Sequence, residues 1–195
     1  EAGLLDNTCI IYTSDHGDMA AELGLWCKRT FYDASAGVPL LISLPGGQPR
    51  TSVDVPVELV DLLPTMCELA GTRAPEGIDG ESLLPLLEGR SSDRCKRAAR
   101  SELLAPRREV QFRMARDERW KYVEFPETQP VLFDLESDPC ETTNLYGTPS
   151  ADAAPLHELR EVAAAGLTWE GIDRMRNEEM RTRPNVIVEG PHGPA

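Results

Sequence analysis

Asp15 and His16 stand side by side, with Gly17 next, where the apolar run TCIIYT ends. A carboxylate oxygen and an imidazole nitrogen are both ligands for a divalent cation. Neighbouring side chains on an extended strand point to opposite faces, so this pair can converge only in a loop, and Gly17 permits the bend. Two ligands are fewer than a cation needs, and Asp18 is a candidate third. The same residues admit a structural reading, in which the aspartates cap turns and His16 hydrogen-bonds nearby. Lys28, in GLWCKRTFYD, is a compact cation among Trp26, Cys27, Phe31 and Tyr32. With its stem partly buried it would aim an ammonium at a charged partner, and a point charge suits an oxyanion such as sulfate or phosphate. The alternative is a surface lysine whose stem lies over apolar neighbours. Arg29 reads as the surface residue of the two.

These residues need elements to position them. TCIIYT, rich in β-branched residues, predicts a buried strand, and SDHGD then falls at its carboxyl end, where ligands of α/β sheets bind. VPLLISL, residues 38–44, predicts a second buried strand ending at the turn PGG. VELVDLLPTMCELA, residues 57–70, has apolar residues at helical spacing; Pro64 predicts a kink or a fresh start, and Gly71 a C-terminal cap. GIDGESLLPLLEGR, 77–90, reads as a turn and a short apolar segment, and SSDRCKRAAR, 91–100, as polar and exposed. EVQFRMARD, ERWKYVEF and PVLFDLES predict three strands of an antiparallel meander. Residues 152–165 and 168–183 predict helices, and the Pro- and Gly-rich tail, 184–195, an extended arm. The expected fold class is α/β: a core portion over 1–100, then a small antiparallel α+β subdomain with helices over 101–183.

The bulk composition narrows the partners. Thirty-three acidic residues against 20 basic ones give a net charge of −13. Such a chain is a poor non-specific ligand for nucleic acid or anionic membrane, so neither is expected as a partner. The sequence has no run long and apolar enough to predict a transmembrane helix, and no leader-like segment at its start. It opens on EAGLLDNT rather than on methionine, which suggests an incomplete N-terminus. Cys9, Cys27, Cys67, Cys95 and Cys140 are scattered without a CxxC, which favours free thiols in a reducing compartment. The cytoplasm is the expected location, with the periplasm as the alternative.

Other residues have plainer readings. Asp134, Asp138 and Glu141 form an acidic group that could hold a second metal but suits turn-making and capping better. Trp120 and Tyr122 alternate around Lys121, as in a half-buried strand. His157 reads as a surface residue, and His192 lies in the tail.

Several segments together resemble the sulfatase family of the alkaline-phosphatase superfamily. TSDHGDMAAELGLWCKRTFYDASAGVPLLIS is similar to its pattern of a buried strand, S-D-H/N-G, G-L-W-x-K and a segment ending in V-P-L. VELVDLLPTMCELAG and GIDGESLLPLLEG resemble V-D-x-x-P-T and D-G-x-S-L-x-P-L. RDERWKYVEF and PVLFDLESDPCETTNL resemble W/Y-K-Y followed by L-x-D-L-x-x-D-P-x-E-x-x-N-L. The three matches occur in order and cover most of residues 8–147. TWEGIDRMRNEEMRTR weakly resembles the C-terminal extension of choline-sulfatase-like and phosphonate-monoesterase-like members.

The resemblance implies that residues 1–100 are the C-terminal portion of an alkaline-phosphatase-like mixed sheet with flanking helices. It implies hydrolysis of a small-molecule sulfate monoester, with a divalent cation, calcium first and magnesium or manganese as alternatives. Asp15 and His16 would be metal ligands, and Lys28 would bind the sulfate oxygens and offset charge in the transition state. The family's nucleophile is a formylglycine made within C/S-x-P/A-x-R, and none of the five cysteines here heads such a segment. The chain therefore resembles the C-terminal part of a sulfatase, expected to be inactive in isolation and prone to self-association. A phosphonate or phosphate ester hydrolase on the same scaffold, and a non-catalytic remnant or binding domain, are the alternative readings.

Overall fold

The computed structural model describes residues 3–46, 52–90, 98–104, 110–165 and 168–182. The fold is mixed α/β, and residues 1–163 and 164–195 form two compact units. Cys95, His192 and the expected extended tail lie outside the described residues.

In the first unit, strand β1 (Ile10–Thr13) pairs antiparallel with β4 (Leu40–Ser43), Tyr12 opposite Leu41. Both strands form where β-branched and apolar residues predict them, but neither is buried. Ile10, Tyr12 and Leu41 share a face and are 48%, 63% and 60% exposed. This corrects the buried-strand expectation. Apolar composition signals that a face is suited to burial, but a two-stranded ribbon leaves that face open to water. Between them lie the small hairpin of β2 (Met19–Ala20) and β3 (Trp26–Cys27) and a one-turn helix, α1 (Asp33–Ala36).

Pro64 marks a fresh start. A 3-10 turn at Leu59–Asp61 leads into α2 (Leu62–Leu69), which places Pro64 in the first helical turn, where no intrahelical acceptor awaits its missing N–H. The buried Asp61 carboxylate accepts from Glu58 N at 3.0 Å and Glu81 N at 2.8 Å. Thr65 Oγ1 donates to Asp61 O at 2.6 Å and accepts from Leu83 N at 2.8 Å, just before α3 (Leu84–Leu87). Gly80 is required by close approach, since a Cβ there would lie 2.1 Å from Val60 O.

A four-stranded antiparallel sheet follows, in the order β5 (Ala99–Leu103), β6 (Phe112–Arg116), β7 (Trp120–Glu124), β8 (Val131–Asp134). The last three are the expected meander. The first was not expected, because ARSEL has few strong β-formers and continues a basic polar stretch. Its edge position explains this: β5 needs only one partner, and Arg100 N gains a second anchor on Glu58 Oε1 at 2.8 Å. The strand spans residues 100 and 101, where the sequence style changes.

Strand alternation sorts the sheet into two faces. One carries Ala115, Trp120, Tyr122 and Leu132 against Ala151, Leu159 and Ala163, the last two from α4 (Leu156–Ala164). The other carries Phe112, Met114 and Val123 against Phe31 and Ala36. Both faces are covered, so Trp120 and Tyr122 are buried at 5% and 1% rather than half-buried. In the second unit, α5 (Trp169–Thr182) is capped by Thr168, whose Oγ1 accepts from Gly171 N at 3.0 Å. Among the described residues, no helix is long and apolar enough to cross a membrane.

Candidate functional site

The loop after β1 and the strand β3 bring Asp15, His16 and Lys28 together. Lys28 Nζ lies 2.7 Å from His16 Nε2, and Asp15 Oδ2 lies 3.5 Å from the same nitrogen. His16 Nδ1 faces Gly17 O at 2.7 Å. A carbonyl can only accept, so Nδ1 carries the proton, by assignment from this network, and Nε2 presents its lone pair. Asp15 Oδ1 accepts from His16 N at 3.1 Å, and Ser14 Oγ donates to His16 O at 2.8 Å. The loop thus bends so that a carboxylate oxygen lies 3.5 Å from the imidazole Nε2. The Lys28 ammonium sits on that same imidazole nitrogen.

Gly17 serves close approach rather than an unusual backbone angle. Its N–H donates to Ser35 O at 2.9 Å, and a Cβ would lie 2.2 Å from Ala34 O and 2.9 Å from Gly37 O. The loop bearing His16 is therefore seated on α1.

Lys28 is exposed, and its head turns onto His16 rather than into solvent. The backbone that delivers it is strained. Cys27 and Arg29, on either side, have φ of 66° and 81°, and Ala21 and Leu23 in the same hairpin have 88° and 52°. Left-handed conformations at non-glycine residues cost on the order of 1–3 kcal/mol each and persist where surrounding structure enforces them. Trp26 is 72% exposed beside this strained stretch.

As a cation site the donor set fits in part. Asp15, with its side chain 85% exposed, offers an open hard oxygen, and His16 offers Nε2 with Nδ1–H anchored on a backbone carbonyl, the usual support for a ligating imidazole. Asp18 is exposed, and among the described residues no third His, Cys, Asp or Glu completes a cluster.

The acidic group at 134–141 is structural. Asp134 forms a two-pronged pair with Arg119 at 2.9 and 2.8 Å, and that hydrogen bonding holds its carboxyl down to about 2. Asp138 accepts from Thr142 N and Thr143 N, both at 2.8 Å, as a turn cap. Glu141 turns inward to Lys121. His157 is a surface residue, 3.6 Å from Glu161.

Sequence reading missed Lys121. It is fully buried, its Nζ bound to Phe31 O at 3.1 Å, to Asp33 Oδ1 at 2.5 Å and to Glu141 Oε1. The signal available was its place between two aromatics on a strand buried on both faces, where a charge requires partners.

Residues 21–163 match the family described as N-sulphoglucosamine sulphohydrolase, C-terminal. This chain belongs to the sulfatase family. The span that decides it includes Lys28, Lys121 and Glu141 and begins after Asp15 and His16. The sulfatase chain is 37% identical over 187 residues to a choline-sulfatase of Rhizobium meliloti (strain 1021), covering 92% of this chain and 35% of that one. It thus spans about a third of the length of that relative. Its fold resembles that of a 2-O GAG sulfatase, with a TM-score of 0.70 and 31% identity, covering 91% of this chain and 39% of the other. It also resembles the phosphonate monoester hydrolase SpPMH from Silicibacter pomeroyi, with a TM-score of 0.68 and 29% identity, covering 94% and 37%.

Proposed function

We propose that this chain is the C-terminal part of a metal-dependent sulfuric ester hydrolase acting on a sulfate monoester of a small molecule. The observation that carries the reading is the convergence of the Asp15 carboxylate, the His16 Nε2 lone pair and the Lys28 ammonium in a sulfatase-family chain. Asp15 and His16 would hold the cation, calcium first, with magnesium or manganese as alternatives. When bound, that ion supplies Lewis-acid stabilisation of charge on the sulfate oxygens. His16 is kept in the ligating tautomer by Gly17 O, and Asp15 contributes a carboxylate whose side chain is 85% exposed. Lys28 exchanges its hydrogen bond to Nε2 for one to a sulfate oxygen, placing a positive charge where negative charge develops.

None of the cysteines heads a C-x-P/A-x-R segment. We assign the nucleophile and the remaining cation ligands to residues outside this sequence, and the isolated 195-residue chain to the inactive class. Aryl sulfate hydrolysis should be measured for the longer protein carrying this sequence and for the 195-residue chain in parallel. Turnover by the longer protein alone is expected. Metal-dependent turnover by the short chain overturns the assignment of the nucleophile, and none by the longer protein overturns the sulfatase reading.

A second reading is favoured by the likeness to the phosphonate monoester hydrolase. Sulfate and phosphonate present similar tetrahedral oxyanions to Lys28 and a cation. The ratio of rates on an aryl sulfate and an aryl phosphonate decides between them.

A further inference from the structure

Lys121 is an ammonium with no exposure, on the face of β7 that meets Phe31, and its partners come from two distant parts of the chain. Asp33 opens α1, and Glu141 sits in the turn after β8. Glu141 bridges them a second time, since its Oε2 accepts from Asp33 N at 2.6 Å. Arg116, the register partner of Lys121 on β6, reaches Asp33 Oδ2 at 3.8 Å, so two cations face two carboxylates. Glu141 also has a φ of 56°, a strained conformation for a non-glycine residue. Phe31 is held on the same face by edge contacts to Phe112 and Phe125 and by stacking on Phe133, with centroids 5.9, 5.6 and 6.2 Å away.

This clamp lies between the C-terminal sheet and the candidate site. Phe31 and Asp33 stand a few residues beyond Lys28 in the chain, and α1, which Asp33 opens, carries the Ser35 carbonyl that receives Gly17 N–H. We infer that Lys121 and Glu141 are positioning residues for the His16–Lys28 pair: with Asp33 they lock segment 31–36 onto the sheet, and that segment fixes both ends of the pair. The inference rests on the functional reading of His16 and Lys28 given above. A buried ammonium suits the task because it is satisfied only when both carboxylates are in place, so the segment has one seating rather than several.

The test is amide exchange in the 195-residue chain, read at Gly17 and along β7. Asp33→Asn removes one charge while Lys121 keeps Glu141. It should speed exchange at Gly17 by about tenfold, the equivalent of one hydrogen bond to a charged group, and leave Tyr122 and Val123 within about twofold. Glu141→Gln should act in the same direction, and Lys121→Met more strongly. Trp120→Phe, on the opposite face of β7, is the control: whatever it does to overall stability, the ratio of Gly17 to β7 exchange should stay as in the unaltered chain. Gly17 exchange that follows β7 in Asp33→Asn and Glu141→Gln overturns the inference, including where Lys121→Met fails to fold. Exchange at Gly17 requires neither cation nor sulfate ester. A longer protein that hydrolyses no sulfate would sink the functional reading and leave this result standing, and the reverse holds equally.

Discussion

Lys28 Nζ and His16 Nε2 lie 2.7 Å apart, an ammonium seated on the lone pair that the proposed cation would take. One lone pair serves one electrophile at a time. On the proposed reading, a cation held by His16 would displace Lys28 from Nε2 and leave its ammonium free for an oxyanion, so the two residues would act together.

On the proposed function, Lys28→Ala in the longer protein is expected to lower kcat on an aryl sulfate by roughly 10²-fold, the usual loss for one donor aimed at developing oxyanion charge. His16→Ala should lower activity at least as much and weaken the response to added calcium. Steady-state kinetics across a calcium titration check both. Full activity in either variant would remove these residues from the mechanism.

Gly17→Ala is expected to destabilise the chain by about 1–3 kcal/mol, because the new methyl meets the Ala34 carbonyl and the loop must lift off α1. Chemical denaturation measures the cost. The His16 ring resonances should shift with it, since the ring hangs from the displaced loop.

Asp61→Ala should cost about 3 kcal/mol or more. It leaves Glu58 N and Glu81 N without the buried carboxylate that accepts both, and each such charged hydrogen bond contributes on the order of 1.5–3 kcal/mol. Urea unfolding of the 195-residue chain checks the value, and a loss below about 1 kcal/mol would mean that the 58–65 and 80–84 segments are held by other contacts.

Stability should fall at both ends of the pH scale, for opposite reasons. The Arg119 hydrogen bonds hold Asp134 at about 2, below its ordinary 3.8, so its contribution is present above pH 3.8 and is lost as pH falls through about 2. Burial first, and then the charge of Glu124, push Tyr122 up to about 12, so its contribution is present below pH 10 and is lost as pH rises toward 12. Thermal unfolding across pH should show both limbs. Asp134→Asn should flatten the acid limb and Tyr122→Phe the alkaline one.

The face of Ile10, Tyr12 and Leu41 should make the isolated chain self-associate, as contiguous exposed apolar surface does. Sizing at increasing concentration is expected to show larger species, and Tyr12→Lys with Leu41→Lys to shift the chain toward monomer. A sharp monomer peak for the unaltered chain at all concentrations would count against an open face.

The sequence by itself determined the local elements and the reacting types. Period-two runs gave β6, β7 and β8; helical spacing with Pro64 gave α2; and the S-D-H-G and W-x-K stretches singled out Asp15, His16 and Lys28. These features are local, set by neighbours a few residues away. The edge strand β5 was illegible because its pairing, not its composition, makes it a strand. The exposure of β1 and β4 was illegible because composition records suitability for burial and not whether a cover is present. Only the tertiary structure decided that His16 and Lys28 share a hydrogen bond, since that depends on two strained turns and on α1 lying under Gly17. Only it paired Lys121 with Asp33 and Glu141, charges far apart in the chain that the sheet and the turn after β8 bring around one buried ammonium. A buried charge is stable only beside its counter-charge, and where the counter-charge comes from is a property of the packed fold.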